Sequence, residues 1–371
     1  MQKGRALFRA VGRACTVIIW RAGQIEAFIA RYFVAVARNE VLRYIGHRMT
    51  KSCFFLAADA KYFPYACLAA RRVLDVSPPI DGFILQMDVG AADLAAARRL
   101  LGDSVRIIDL SRMMRGVAFT PGHLSLAVYM RLFVDEMAEF TPYERVVYLD
   151  SDVLFRRSIA DLIEAPLHAP LLAAHDVQSY FEPGFRKRLS MRPGAPYFNS
   201  GVLLLDLPRI RNEGLLGAAR HFASLHVDGL DQGALNLAFQ GKWQTLHPAW
   251  NVMTNYSWQL PFGEAFARHF SWGKPWDKVP IGVELAALDI YRDLASDTPW
   301  SAPFQRRVPF ERGVMKRFVR RFDKIGSMLN SRERLRRRAR YDGRKVYEIF
   351  AGQAEEGAMA AEFPEVLAGF A

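Results

Sequence analysis

Hydrophobic positions along this chain follow two rhythms. Short, nearly unbroken apolar runs alternate with stretches in which apolar residues return every third or fourth position. The runs read as strands. Ser-Cys-Phe-Phe-Leu-Ala-Ala over 52–58 predicts a buried strand ending at Asp59, Gly82–Met87 a second, Val105–Asp109 a third, and Glu144–Leu149 a fourth ending in Asp150. Shorter strands are expected within Ala165–Ala174 and over Phe198–Leu205. Between them, helical spacing covers Tyr65–Leu74 (stopped by Pro78-Pro79), Ala91–Leu101 and Leu124–Phe140. Strand and helix in alternation predict an α/β fold, a Rossmann-like, mostly parallel sheet with flanking helices. Ligands of such sheets sit at the carboxyl ends of strands, where Asp59 and Asp150 fall.

The 371 residues are 51% hydrophobic and 24% charged, which supports a sizeable core and excludes a disordered or fibrous chain. No apolar run approaches the ~18–20 residues that cross a bilayer, so no spanning helix is expected. Three cysteines, Cys15, Cys53 and Cys67, are too few for a disulfide framework or a four-thiolate zinc site and read as reduced, packed thiols. Basic residues precede Ala14–Trp20, and Ala35-Val36-Ala37 looks like a cleavage site, but Arg21, Glu26 and Arg31 break the apolar stretch of a secretory leader. The expected location is cytoplasmic.

Charge divides the chain more sharply than composition does. Of the formal +12, residues 1–51 carry +8 and residues 305–345 carry +12, which leaves the body at −8. The organisation expected is a basic amphipathic extension (1–51), a body (52–290) and a basic helical tail (291–371). In that tail Phe310, Val314, Phe318, Phe322, Ile325 and Leu329 form one helical stripe among arginines and lysines. A basic helix with a Phe-rich face suits an anionic membrane surface, which places the protein peripherally on the inner face of the cell membrane. Packing of the stripe on the body is the plainer alternative. No zinc finger, no aromatic RNA-binding motif and no basic patch in the body points to nucleic acid, so none is expected as a partner.

The sharpest chemical feature is Tyr148-Leu149-Asp150-Ser151-Asp152. Two carboxylates delivered together at a strand end suit a hard divalent cation, Mn²⁺ or Mg²⁺, bridging a diphosphate. Two solvated aspartates in a turn would look the same in isolation. Downstream, however, stand Tyr197-Phe198-Asn199-Ser200-Gly201, Asp231-Gln232-Gly233-Ala234-Leu235-Asn236, Trp250-Asn251 and His269-Phe270-Ser271-Trp272-Gly273-Lys274-Pro275-Trp276. In this order, from about Cys53 to Trp276, the sequence resembles the family 8 retaining glycosyltransferases of the type-A glycosyltransferase fold, the bacterial lipopolysaccharide galactosyl- and glucosyltransferases above all.

That resemblance implies a UDP-hexose donor, a glycan or glycolipid acceptor and Mn²⁺, with Asp150, Asp152 and His269 as metal ligands. Gly273 and Lys274 would hold the diphosphate. Ala57, Asp59, Arg131, Asp150 and Ser151 would contact the nucleotide or the metal site, and Asn199 and Ser200 the donor sugar, near Asp176. His123 and Tyr129 match the pattern of the helix that carries Arg131. Ala60, Lys61 and Gly233 depart from the family's usual residues and put the base and sugar contacts in question. Asp231 and Gln232 would lie beside the anomeric carbon. Gln232 is a poor nucleophile, which favours front-face attack with Gln232 supporting the positive sugar through its carbonyl dipole. Two rival readings are a haloacid-dehalogenase-like phosphatase, which shares the Asp-x-Asp strand end but leaves Asn199, Gln232 and His269 unexplained, and a membrane-surface scaffold with a degenerate sugar-nucleotide fold.

Overall fold

The computed structural model describes residues 51–119, 125–176, 184–254, 260–278, 280, 282–305 and 343–360. The expectations for residues 1–50, Cys15, His123 and the basic stretch within 306–342 lie outside the described residues. A seven-stranded sheet organises the rest. In chain order its strands and the helices around them are β1 (Ser52–Asp59), α1 (Phe63–Val76), β2 (Asp81–Met87), α2 (Ala91–Leu101), β3 (Val105–Asp109), β4 (Arg145–Leu149), β6 (Leu171–His175), β7 (Phe198–Asp206), α3 (Leu215–Ser224), α4 (Leu230–Ala238) and β8 (Trp243–Thr245). A separate three-stranded sheet holds β5 (Val153–Phe155), β9 (Val252–Met253) and β10 (Ala267–His269), and helices α5 (Leu285–Ala295) and α6 (Gly343–Glu355) follow.

The large sheet runs β3-β2-β1-β4-β7-β6-β8. The β1–β2, β2–β3, β1–β4 and β6–β8 pairs are parallel, and β7 alone runs against its neighbours β4 and β6. A sheet covered on both faces needs apolar residues at every position, which is why the central strands read as continuous runs. Alternation then deals the side chains to two cores. Phe54, Leu56, Val147, Leu149, Val202 and Leu204 join the core under α1, α2 and α5. Cys53, Phe55, Val146, Tyr148, Leu203 and Leu205 join the core under α3 and α4. Cys53 and Cys67 are buried free thiols, as the sequence implied. Among the described residues no helix is long and apolar enough to cross a membrane.

Two expectations change. Leu124–Phe140 is not one α-helix: its described part is a 3₁₀ helix over Leu126–Phe133 and a short 3₁₀ turn at Ala138–Phe140. Residues 129–134 are buried without interruption, so no exposed face enforces a 3.6-residue period. The packed body also continues past residue 290. Helix α5 spans that position, Trp300 and Phe304 sit in the core, and Phe350 of α6 is buried. Beyond α6, Thr245 N–H donates to Ala358 O (3.3 Å) and Ala360 N–H to Trp243 O (3.0 Å), so the chain covers the open edge of β8.

Phe350 stacks on the imidazole of His175 at a centroid distance of 4.0 Å, while Thr245 Oγ1 lies 3.0 Å from its Nε2. Burial pushes the His175 pKa down to about 3. An unfolded histidine takes up its proton near pH 6.5 and the folded one resists it, so acidification from there towards pH 3 favours the unfolded chain by about 1.4 kcal/mol per pH unit. Phe350→Ala is expected to lower stability at pH 7.5 by about 3 kcal/mol. By letting water reach His175 it should also flatten this slope relative to the wild type, as measured by urea denaturation from pH 7.5 to 4.

Candidate functional site

Strand order reverses between β1 and β4, and the gap at their carboxyl ends opens into a cleft of 870 Å³. Ala57, Asp59, Arg131, Asp150, Ser151, Asp152, Asn199, Ser200, Asp231, Gln232, His269 and Lys274 all line it. Of the residues singled out in the sequence, Gly273, which is buried, and Asp176 do not line it. His226, Val227 and Asp228, which carry no motif, complete one rim.

At the centre, ligand atoms of Asp150, Asp152 and His269 all lie within 4.8 Å of one another. The two aspartates meet through a turn, in which Val153 N–H donates to Asp150 O at 3.1 Å, and not through alternation along β4, which ends at Leu149. His269 arrives by register. Strand β10 pairs it with Val153 of β5, and Phe270 N–H donates to Asp152 O at 2.9 Å. This seats His269 Nε2 at 3.3 Å from Asp152 and 3.7 Å from Asp150. Gly201 makes the approach possible. A Cβ there would stand 2.3 Å from His269 Cε1 and 3.0 Å from Asp150 Oδ2, so only glycine leaves room for the triad. Two carboxylates facing an imidazole nitrogen form a donor set that fits a divalent metal ion, and carboxylates with imidazole suit Mn²⁺ better than Mg²⁺.

Cations flank the triad. Lys274 Nζ bonds to Asp152 and, at 2.6 Å, to Phe270 O, and its loop is held by Trp276 stacked 3.6 Å from Tyr65 of α1. Burial opposes the Asp152 carboxylate, yet His269 and Lys274 together hold its pKa well below the usual range. Burial would likewise weaken the Lys274 ammonium, but Asp152 raises its pKa on balance. Arg131 lies buried under the cleft. It reaches Asp231 and, at 2.7 Å, Ser200 O, with Asp150 at 3.4 Å and its guanidinium 4.4 Å above the Tyr148 ring. Burial disfavours its charge, but Asp231, Tyr148 and Asp150 outweigh that and keep Arg131 protonated.

On the opposite wall Gln232 Oε1 accepts from Ser200 N–H (3.0 Å), Ser200 Oγ (3.2 Å) and Asn199 Nδ2 (3.3 Å), while its amide donates to Asp176 Oδ2 at 3.1 Å. Its carbonyl thus has donors within the protein itself. Gly233 is explained by packing: a Cβ there would meet Asp228 O at 1.9 Å, so glycine lets the loop before α4 fold against the helix. Asp59 Oδ1 accepts from Tyr62 N–H at 2.9 Å, and Lys61 stands exposed beside it, 5.5 Å from the Tyr62 ring.

The profile of Glycosyl transferase family 8 matches residues 53–279. This chain belongs to glycosyltransferase family 8. Over 282 residues it is 24% identical to the glycosyltransferase GlyF of Streptococcus pneumoniae serotype 4 (strain ATCC BAA-334 / TIGR4), covering 71% of this chain and 65% of that one. It is 25% identical to the lipopolysaccharide 1,2-glucosyltransferase of Escherichia coli (strain K12), over 47% of this chain and 56% of the relative. The chain therefore spans under two thirds of either protein. A crystal structure of galactosyltransferase LgtC with donor and acceptor sugar analogs superposes with a TM-score of 0.57 and 26% identity, covering 71% of this chain and 99% of LgtC. The sheet is that of the type-A glycosyltransferase fold.

The Arg131–Asp231 pair gives a direct check on the site's electrostatics. Arg131→Met strands a buried carboxylate and is expected to cost about 3–5 kcal/mol in urea denaturation. Adding Asp231→Leu should recover most of that loss, since an apolar pair removes both desolvation penalties.

Proposed function

We propose that this chain is a metal-dependent, retaining hexosyltransferase that moves galactose or glucose from a UDP-sugar to a glycan or glycolipid acceptor, in lipopolysaccharide or other surface-glycan synthesis. The observation that carries the proposal is the Asp150–Asp152–His269 triad at the strand-order reversal, sharing one cleft with the amides of Asn199 and Gln232. Family membership and the likeness to LgtC support the donor class.

Asp150, Asp152 and His269 would hold the ion, with Mn²⁺ favoured. When bound, it supplies positive charge to the diphosphate of the departing UDP. Lys274 adds a second positive charge at the same edge of the cleft. Asp231 is no free nucleophile, because Arg131 engages its carboxylate in a buried ion pair. The reading is therefore front-face attack: the bond from the anomeric carbon to the diphosphate oxygen breaks, the bond to the acceptor oxygen forms on the same face, and the acceptor's proton passes to the departing oxygen. Gln232, tied to Ser200 and Asn199, keeps that wall rigid while charge develops on the sugar.

Release of UDP from a panel of UDP-sugars is expected to require Mn²⁺ and to favour one hexose. Asp152→Asn should lower it by about a hundredfold or more, the scale of a few kcal/mol of lost charge stabilisation. No metal-dependent release from any UDP-sugar would reject the transferase and favour the scaffold.

We also propose that the basic stretch within 306–342 attaches the enzyme to anionic lipid. Its charge and Phe-rich stripe are features of the sequence, and the segments on either side of it, ending in Phe304 and carrying Phe350, are packed on the body. Co-sedimentation with phosphatidylglycerol vesicles is expected, and phosphatidylcholine vesicles should leave the protein in solution. Arg336→Glu, Arg337→Glu and Arg338→Glu together should weaken vesicle binding at least tenfold, since each basic residue contributes ~1 kcal/mol, with UDP release unchanged.

A further inference from the structure

Hydrogen-bond direction can be read through the buried amides behind the metal triad, because a backbone N–H only donates. Gly201 N–H donates to Asn199 Oδ1 at 3.0 Å, which fixes the Asn199 amide. Its Nδ2 is left to donate, towards Gln232 Oε1 at 3.3 Å and Asp176 Oδ2 at 3.5 Å. The second lone pair of Asn199 Oδ1 accepts from Asn251 Nδ2 at 2.8 Å, which fixes Asn251 in turn. Asn251 Oδ1 then faces His269 Nδ1 at 2.9 Å, and a carbonyl oxygen only accepts. The ring must therefore carry a proton on Nδ1. Nε2 is the nitrogen that faces Asp150 and Asp152, so it is the one a metal ion would take, in place of any proton shared with Asp152.

We propose that Asn251 is a positioning residue that selects the metal-binding tautomer of His269, and that Asn199 continues the same relay to the sugar wall, so that metal affinity and donor-sugar contacts are linked. Every bond in the relay runs one way, from His269 to Asp176. Asn251 is buried, so neither of its bonds is replaced by water when one is removed. The proposal rests on the metal reading given above, but the tautomer itself does not.

The test begins with ¹⁵N-histidine NMR of the metal-free protein at pH 8.5, with His269→Gln to assign the signal. The expected result is a proton on Nδ1 in the wild type, and a mixed or Nε2-protonated ring in the near-isosteric Asn251→Leu. A wild-type ring without a proton on Nδ1, or a ring unchanged in Asn251→Leu, would overturn the proposal. Mn²⁺ affinity, read from the electron paramagnetic resonance of free Mn²⁺, should fall about 10–100-fold in Asn251→Leu. Asn251→Asp keeps the acceptor for His269 and loses the donor to Asn199. It should retain Mn²⁺ affinity within about threefold while losing about tenfold in the preference for UDP-hexose over UDP, the scale of one buried hydrogen bond. Equal losses of both in the two variants, with lowered melting temperatures, would reduce Asn251 to a structural role. A wild type with the Nδ1 proton in place and no Mn²⁺ affinity would defeat the metal reading instead and leave the tautomer assignment standing.

Discussion

Three carboxylates, Asp150, Asp152 and Asp231, converge on one partly buried cleft, and their mutual repulsion is the constraint that the surrounding structure answers. The answer is positional. Arg131 enters from beneath, its charge sandwiched between Asp231 and the Tyr148 ring, while Lys274 reaches Asp152 from the far side. Neither cation could be placed by local sequence. Arg131 depends on a buried 3₁₀ segment below the sheet, and Lys274 on an aromatic stack that fastens its loop to α1. A cleft so balanced holds its charges with little reorganisation, which is the property that electrostatic catalysis needs.

The glycines of the site show how tight that arrangement is. Gly201 lies in the buried part of β7, where glycine ordinarily weakens packing. Here the missing side chain is the space that His269 occupies. Gly233 plays the matching part on the other wall, giving Asp228 O room to close on the first turn of α4. Both residues are required by the close packing of neighbouring groups.

Much of this was legible in the sequence because the sheet is buried on both faces. Continuous apolar runs locate β1 to β4 and β7 to within a residue or two, and the residue types at their ends mark the site. What stayed hidden has physical causes. Strands β5, β8, β9 and β10 have two or three residues each, too few for any period to register, yet β5 and β10 are what bring His269 to Asp152. The segment that carries Arg131 has helical spacing in the sequence but is buried without interruption over 129–134 and folds as a 3₁₀ helix, a difference the spacing does not show. Asp231–Asn236 stands out by residue type as a motif, which conceals that it is the start of a helix. Asn251 was visible only as one letter of a motif, because its importance lies in the direction of two hydrogen bonds.

Strand β6 joins the site to the end of the chain. Its last residue, His175, is stacked under Phe350, and the next, Asp176, accepts from Gln232 and Asn199. One short segment is thus held by the C-terminal helix at His175 and by Gln232 and Asn199 at Asp176. The same return of the chain covers the edge of β8 through Ala358 and Ala360. The residues after 343 therefore do more than extend the body: they cover the sheet edge at β8 and pack on His175, the strand end that Asp176 follows. A fold that places its cleft at strand ends needs those strands held from behind, and here the hold on β6 comes from Phe350, 175 positions further along the chain.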